Sequence, residues 1–272
     1  MSIAIIDLDS VMYTIGNGNK ILDENGVPKR SEDGKRFLYI DKTHEELIQS
    51  ADQIMNSILT NSGTTYYIAY IKGQSTTLSR LQVYPDYKAN RSGVEPTWWQ
   101  FCKQYMIKEW KALEVHGMEV DDAVNLTRLH YPDSFICAID GDLLGLEGKH
   151  HNWSKNVWVE VSEKDANVKF WSDMISGQKG DNIHGLKGRG IKYVETLFKK
   201  INYHSDLEYA ELVFSAYLTY YNNVTLALKE FNKNYTCLKI LSEHDNFTYP
   251  EPIKVTKRQY LEQIQDYNKL FE

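Results

Sequence analysis

Carboxylates recur in this chain where short apolar runs end. Asp7 follows Ile3-Ala4-Ile5-Ile6, Asp140 and Asp142 follow Phe135-Ile136-Cys137-Ala138-Ile139, and Glu119, Asp121 and Asp122 fall almost side by side. Two carboxylates about 4 Å apart repel by roughly 4 kcal/mol at an effective dielectric of 20, so a cluster of them needs cations or protons to exist. Hard oxygen donors of this kind favour Mg²⁺ or Mn²⁺. Asp140 and Asp142 are two positions apart, so an extended segment would point both side chains the same way. Glu119 and Asp122, three apart, could share a face of the first turn of a helix.

The elements that must position these acids read as strands alternating with helices. Ile3 to Ile6, Thr65 to Ile71 and Ser134 to Ile139 are β-branched or aromatic runs. Between them the spacing predicts helices from His44 to Leu59, from Thr97 to Leu113 and from Val120 to Leu129, the last stopped before Pro132. That alternation implies a largely parallel α/β sheet, and ligands of such sheets bind beyond the carboxyl ends of the strands, where Asp7, Asp140 and Asp142 lie. Residues 21 to 39 carry the turn signals Asn25-Gly26 and Asp33-Gly34 and read as a hairpin excursion. After about Val168 the pattern becomes helical, with tyrosines from Asp206 to Phe231 expected to pack in the core.

At 272 residues the chain can build one large domain or two modest ones, and two parts serving one site are expected. Its 42% hydrophobic and 25% charged content is that of a soluble globular protein, with no membrane span expected. The start has neither the basic nor the long apolar region of a secretory signal. Cys102, Cys137 and Cys237 are odd in number and far apart, which argues against a disulfide framework or a zinc knuckle and fits a reducing cytoplasm. The net charge of −6 argues at first against a nucleic-acid partner, but basic residues gather at Lys187, Arg189, Lys192, Lys199 and Lys200 and again at Lys103, Lys108 and Lys111.

Four segments occur in one order: Tyr87-Lys88-Ala89-Asn90-Arg91, Glu119-Val120-Asp121-Asp122, Asp140-Gly141-Asp142, and Gly180-Asp181-Asn182-Ile183-His184-Gly185-Leu186-Lys187-Gly188-Arg189-Gly190-Ile191-Lys192. This order resembles the 5′-to-3′ exonuclease and flap endonuclease family, especially its bacteriophage members and the nuclease domains of bacterial DNA polymerase I. The resemblance runs from Asp7 to about Phe198. It implies a PIN-like α/β metal nuclease core over residues 1–171, a mostly parallel sheet flanked by helices with a short helical arch at about 88–113. A helical DNA-binding region with a helix-three-turn-helix would follow over 172–272.

The resemblance further implies a hydrolase of DNA phosphodiester bonds at 5′ ends, flaps or gaps, acting as a monomer in phage replication or recombination in the host cytoplasm. Asp7, Glu119, Asp121, Asp140, Asp142 and Asp181 would hold one or two Mg²⁺ or Mn²⁺ ions, with Asp122 a ligand or a partner of one. Lys88 and Arg91 would contact the scissile phosphate, and Tyr87 would stack on the nucleotide there. Gly185, Gly188 and Gly190 would let a tight turn offer amides to phosphates beside Lys187, Arg189 and Lys192, and that loop also binds a monovalent cation such as K⁺ in the family.

The chain departs from the family pattern at three places. Ile71 or a neighbour stands where an Asp ends the second strand. Gln178 stands where the later metal site has an Asp three residues before Asp181. Only 31 positions (119 − 88) separate Lys88 from Glu119, a shorter span than in members with a full arch, which favours an open exonuclease-like channel. Asp7-Leu8-Asp9-Ser10-Val11 also resembles the first motif of haloacid-dehalogenase phosphatases, but His184, Gly185 and Leu186 stand where that family's late motif needs an acid. Asp9 reads as a helix N-cap and His150-His151 as loop residues. Of Trp98 and Trp99, one is expected in the core and the other partly exposed.

Overall fold

The computed structural model describes residues 2–32, 34, 37–91, 95–202 and 204–254. The chain opens with β1 (Ile3–Asp7), whose five residues are all buried, and turns at once into α1 (Asp9–Gly16). The short β2 (Asn19–Lys20) and β3 (Tyr39–Ile40) pair antiparallel, with bridges Leu22↔Pro28 and Arg30↔Phe37 between them, as expected for a hairpin excursion. Asp33, named in one of its turn signals, lies outside the described residues.

Helix α2 (His44–Ser62) starts at Thr43, whose hydroxyl accepts from the Glu46 amide while Glu46 accepts from the Thr43 amide, and stops at Gly63 in the left-handed region. It buries Leu47, Ala51, Met55, Ile58 and Leu59. Each of the larger of these, the leucines, Ile58 and Met55, stabilises the fold by roughly 1.5–3 kcal/mol on full burial. The chain continues through β4 (Tyr66–Lys72), α3 (Leu78–Val83), α4 (Trp99–Glu109), β5 (Leu113–Val115), α5 (Val120–His130), β6 (Ser134–Cys137), β7 (Gly148–Asn152) and β8 (Val157–Val161).

The sheet runs from a late strand, β11 (Ile253–Lys254), through β4-β1-β6-β7-β8, with β5 added beside the end of β4. Pairings β1/β4, β1/β6, β4/β5 and β6/β7 are parallel, while β7/β8 and β11 against β4 are antiparallel. Alternation along β1 sends Ala4 and Ile6 to a layer formed by α1, α2 and α4, and Ile3 and Ile5 to a layer formed by α5. Asp7 continues the second alternation and so faces the α5 side.

One expectation needs correction here. The helix expected to reach Leu113 ends at Glu109, because Ala112 onward turns to form β5 at the sheet edge. Helix α4, within the expected arch, packs on the core, with Trp99, Cys102, Met106 and the following Trp110 buried against α1 and α2. Residues 92–94 of the expected arch lie outside the described residues.

A third core forms around α6 (Glu163–Ser176), α7 (Ile191–Phe198), α8 (Asp206–Tyr221) and α9 (Val224–Leu238), with β9 (Gly177–Gln178) and β10 (Ile183–His184) forming a ladder between α6 and α7. Trp171, Tyr209 and Tyr217 are fully buried there, which is the packing role expected of the tyrosines. Ser162, Ser205 and Asn223 cap α6, α8 and α9 by accepting from amides three residues on. Position 171 falls inside α6, and the chain beyond α9 returns to the sheet as β11. Among the described residues no helix is long and apolar enough to cross a membrane.

Candidate metal centre and phosphate-facing wall

Asp7, Asp121 and Asp140 come from the end of β1, the first turn of α5 and the segment after β6, three elements that meet at the carboxyl edge of the parallel strands. Asp7 accepts from the Asp9 amide at 2.9 Å. Burial raises its pKa well above the usual carboxylate range, and the charges of Asp9 and Asp140 raise it further. Asp121 is raised likewise by burial and then by Asp7, Asp140 and Glu119, with Lys88 opposing. These acids repel one another at this edge, where Asp7 is buried, Asp121 partly buried and Asp140 exposed.

Asp140 and Asp142 do not lie on an extended segment. Strand β6 ends at Cys137, and Asp142 opens a 3-10 turn with its amide donating to Asp140 Oδ1 at 2.9 Å. Asp142 therefore turns toward α6. There Gln178 Nε2 donates to its carboxylate, and Lys169 Nζ lies 3.7 Å away while bonding Asp173 at 2.6 Å. Burial and then Asp140 raise the Asp142 pKa, and Lys169 opposes them. Gln178 Oε1 is buried with no hydrogen-bond partner among the described residues.

The remaining expected ligands are held by cations of the chain itself. Arg80, which the sequence reading missed, is only 4% exposed and grips Asp122 through two 2.9 Å bonds. It also lies 3.4 Å from Glu119 and donates to the Cys237 and Lys239 carbonyls. Asp122 accepts in addition from the Glu119 and Leu241 amides. With both oxygens engaged in this way, Asp122 fastens α3, α5 and the 237–241 segment together.

Lys88 adopts a left-handed backbone, φ 57°, rare for a long side chain and held here by its amide bond to the Asp181 carbonyl. Its Nζ donates to Glu119 at 2.6 Å and lies 3.6 Å from Asp181. Arg91 bonds Asp181 and the Gly180 carbonyl, Asn90 bonds the Lys179 carbonyl, and Asn182 returns a bond to the Asp86 carbonyl. The 86–91 turn and the 179–182 turn are thus stapled together. Tyr87 is 3% exposed, with its hydroxyl donating to Asp181 at 2.9 Å, and burial pushes its pKa far up. It is a buried strut and not the exposed stacking platform expected of it.

The glycine loop divides in two. A side chain at Gly185 would come within 2.2 Å of the Ile175 carbonyl, so this glycine permits close packing against the end of α6. Gly188 has φ 78° and opens to solvent, and Gly190 precedes α7. Lys187, Arg189 and Lys192 are exposed around that turn, with the Arg189 guanidinium 4.6 Å above the Tyr193 ring.

Other expectations resolve as follows. Asp9 is not an N-cap: Leu8 holds that position, and the Asp9 carboxylate accepts from the Lys72 amide at 2.9 Å. Ile71 is fully buried in the apolar layer, so β4 brings no acid to the site. His150 and His151 are not loop residues but buried on β7, bonded to the Leu146 carbonyl and to Asn156, because that segment continues the sheet. Trp99 is 2% exposed and Trp98 partly so.

A cavity of about 220 Å³ opens onto Asp121, Asp142, Lys169, Gln178 and Asp181. Among the described residues no three potential ligands are gathered tightly enough to hold an ion as they stand. The donor chemistry nevertheless fits a hard divalent cation at Asp7, Asp121 and Asp140, all oxygen donors whose mutual repulsion a cation would relieve. Asp142 and Asp181 fit a second ion poorly, because Gln178, Lys169 and Arg91 already hold them.

No protein-family model matches the sequence, and no curated protein matches it. Solved structures do. The bacteriophage T5 D15 protein co-crystallised with metal ions superposes with a TM-score of 0.56 at 13% identity, over 88% of this chain and 90% of that one. The T5 flap endonuclease in a pseudo-enzyme–product complex with DNA and metal ions gives 0.51 at 14% identity, over 88% and 99%. The catalytic core of Rad2 in complex with DNA substrate gives 0.50 at 12%, over 91% and 82%. The mostly parallel sheet flanked by helices, followed by a helical region, is the fold of the 5′-exonuclease and flap-endonuclease family.

Proposed function

We propose that the chain is a divalent-metal-dependent nuclease that hydrolyses DNA phosphodiester bonds at 5′ ends or branch points. The observation that carries this reading is the convergence of Asp7, Asp121 and Asp140 from three elements, whose mutual repulsion the charge of Lys88 only partly offsets at Asp121. Similar structures hold metal ions and DNA, which supports the same partners here. Asp7, Asp121 and Asp140 would hold the ion, with Glu119 beside them. A bound Mg²⁺ or Mn²⁺ would supply an acidified water and offset charge on the phosphate.

The chain's own groups do the rest. Lys88 is fixed by its backbone and Glu119, and its ammonium can move from that carboxylate to a phosphate oxygen as charge develops. Arg91, half-exposed on the stapled turn, orients the strand. Lys187, Arg189 and Lys192 would grip the duplex backbone irrespective of sequence.

Labelled duplex with a free 5′ end, incubated with Mg²⁺, Mn²⁺ or EDTA, tests the reading. Cleavage is expected with either metal and none in EDTA. Asp140→Asn should lose at least about a thousandfold in rate while keeping its circular dichroism spectrum, since both a ligand and its charge go. Full activity in that variant would remove Asp140 from the site.

The DNA grip is tested separately by fluorescence anisotropy in Ca²⁺ over a salt series. Lys187→Ala/Arg189→Ala should flatten the log–log salt slope by about two if both residues contact phosphates. An unchanged slope and affinity would leave the loop a solvated surface.

A binding-only role is the second reading. It is favoured by the Lys88–Glu119, Arg91–Asp181 and Arg80–Asp122 pairs, which satisfy several acids without metal. Strong duplex binding with no cleavage in either metal would select it.

A further inference from the structure

Two cations line the cavity beside the acids and pair with none of them. Helix α5 carries Asp121 in its first turn and Arg128 seven residues on, so the two share a face of the helix, about 10 Å apart along its axis. Both border the cavity of about 220 Å³, as does Lys239 directly after α9.

Arg128 is held in place without being neutralised. Its Nε donates to Asn125 Oδ1 at 3.1 Å, and Asn125 Nδ2 donates to the Leu241 carbonyl at 2.9 Å, so the segment after α9 orients the guanidinium. A side chain at Gly148 would come within 3.7 Å of Nη1, which sets the fork beside the start of β7. Among the described residues neither Nη group has a hydrogen-bond acceptor and no carboxylate forms a salt bridge with Arg128. Burial lowers its pKa, opposed by the charge of Glu147 alone. An arginine keeps its proton even so, and a partly buried charge is left without a counter-ion. Lys239 is also half-buried, with Nζ 4.9 Å from the Phe170 ring centroid and no ion pair among the described residues.

The contrast with Arg80 is direct, since that arginine is closed off by Asp122. An open guanidinium fork beside an ammonium suits a phosphate, which accepts from both. DNA rises about 3.4 Å per nucleotide, so a strand with one phosphate at Asp121 comes level with Arg128 about three nucleotides along.

We propose that Arg128 and Lys239 form a subsite for a phosphate of the DNA backbone, further along α5 than the scissile one. The inference rests on the DNA-nuclease reading of the neighbouring acids.

The test is fluorescence anisotropy of the full-length chain on a duplex with a free 5′ end, in Ca²⁺ over a salt series. Arg128→Gln/Lys239→Gln should bind at least about tenfold more weakly, with the log–log salt slope flattened by about two whatever the DNA sequence. Lys239→Gln alone, whose side chain holds no hydrogen bond among the described residues, should keep its melting temperature and flatten the slope by about one. Arg128→Lys retains the charge and loses the fork, so its slope should stay while its affinity falls roughly threefold to tenfold. Lys155→Gln removes an exposed charge outside the cavity and should change neither. An unchanged slope and affinity in folded Lys239→Gln and in the double variant, or equal flattening in Lys155→Gln, would overturn the subsite and leave the nuclease reading intact. Absence of duplex binding by the unmodified chain would overturn both.

Discussion

The two ends of the acidic cluster solve the same electrostatic problem in opposite ways. At the sheet end, the buried Asp7 and the partly buried Asp121 lie beside other carboxylates, and desolvation with mutual repulsion raises both pKa values. At the helical end, Asp122 holds Arg80, Asp181 holds Arg91, Glu119 holds Lys88, and Asp142 holds Gln178 and Lys169. A carboxylate that has its cation built in can fasten elements together. One that lacks it retains affinity for a cation from outside. The comparison therefore separates the acids that join segments from the acids that would bind metal, although both kinds look alike in the sequence.

The largest effect expected from breaking this division is at Arg80. Arg80→Met leaves the Asp122 charge buried without its partner, which should cost about 3–5 kcal/mol in denaturant unfolding. Adding Asp122→Asn should recover much of that loss, because the uncompensated charge is then gone. A cost below about 1 kcal/mol for Arg80→Met would mean that Asp122 is not fastened as described, and would return it to the ligand candidates.

Gln178 tests the helical end from the other direction. Its amide donates to Asp142, so the pair binds no cation as it stands, and cleavage in Mn²⁺ should outpace cleavage in Mg²⁺, which demands a more complete octahedral set. Gln178→Asp removes the donor and adds a charge, making this end resemble the other. Activity at low Mg²⁺ should rise by roughly tenfold, and calorimetry should register an additional bound ion. Two tightly bound Mg²⁺ ions in the unmodified protein would show that the helical end already behaves as a metal site.

What could be read without coordinates was whatever local pattern controls. The runs ending at Asp7 and Cys137 are apolar on both faces because the parallel sheet is covered on both sides, and this made the strands and the convergence of acids legible. Arg80 was not legible, since its partners Asp122, Cys237 and Lys239 lie far along the chain and only tertiary packing brings them together. A lone Arg on the short, otherwise apolar-flanked segment Leu78 to Leu81 was the one available signal. Asp9 misled because the N-cap rule is local, whereas the amide that its side chain meets belongs to β4. His150 and His151 misled likewise: β7 is short and polar, and becomes a buried strand only through β6 and β8 on either side.

The smallest expected effect bears on the sheet end alone. Burial and the charges of Asp7, Asp140 and Glu119 raise the Asp121 pKa above its ordinary value of 3.8. A carboxylate raised on folding holds its proton more tightly in the folded chain. Its contribution to stability is fully present below the ordinary value and is lost as pH rises through the raised one. Metal-free protein should therefore lose melting temperature as pH rises above the ordinary carboxylate range, and Asp121→Asn should flatten that fall. At neutral pH without metal the variant should melt roughly 2–4 °C higher for each kcal/mol of repulsion removed, with the gap closing as pH falls toward the ordinary value. Saturating Mn²⁺ should reverse the order, because an ion that binds only the folded state stabilises the unmodified chain more than a variant lacking one ligand. If Asp121→Asn instead melts lower at neutral pH without metal, the sheet end is compensated like the helical end, and the contrast between them fails.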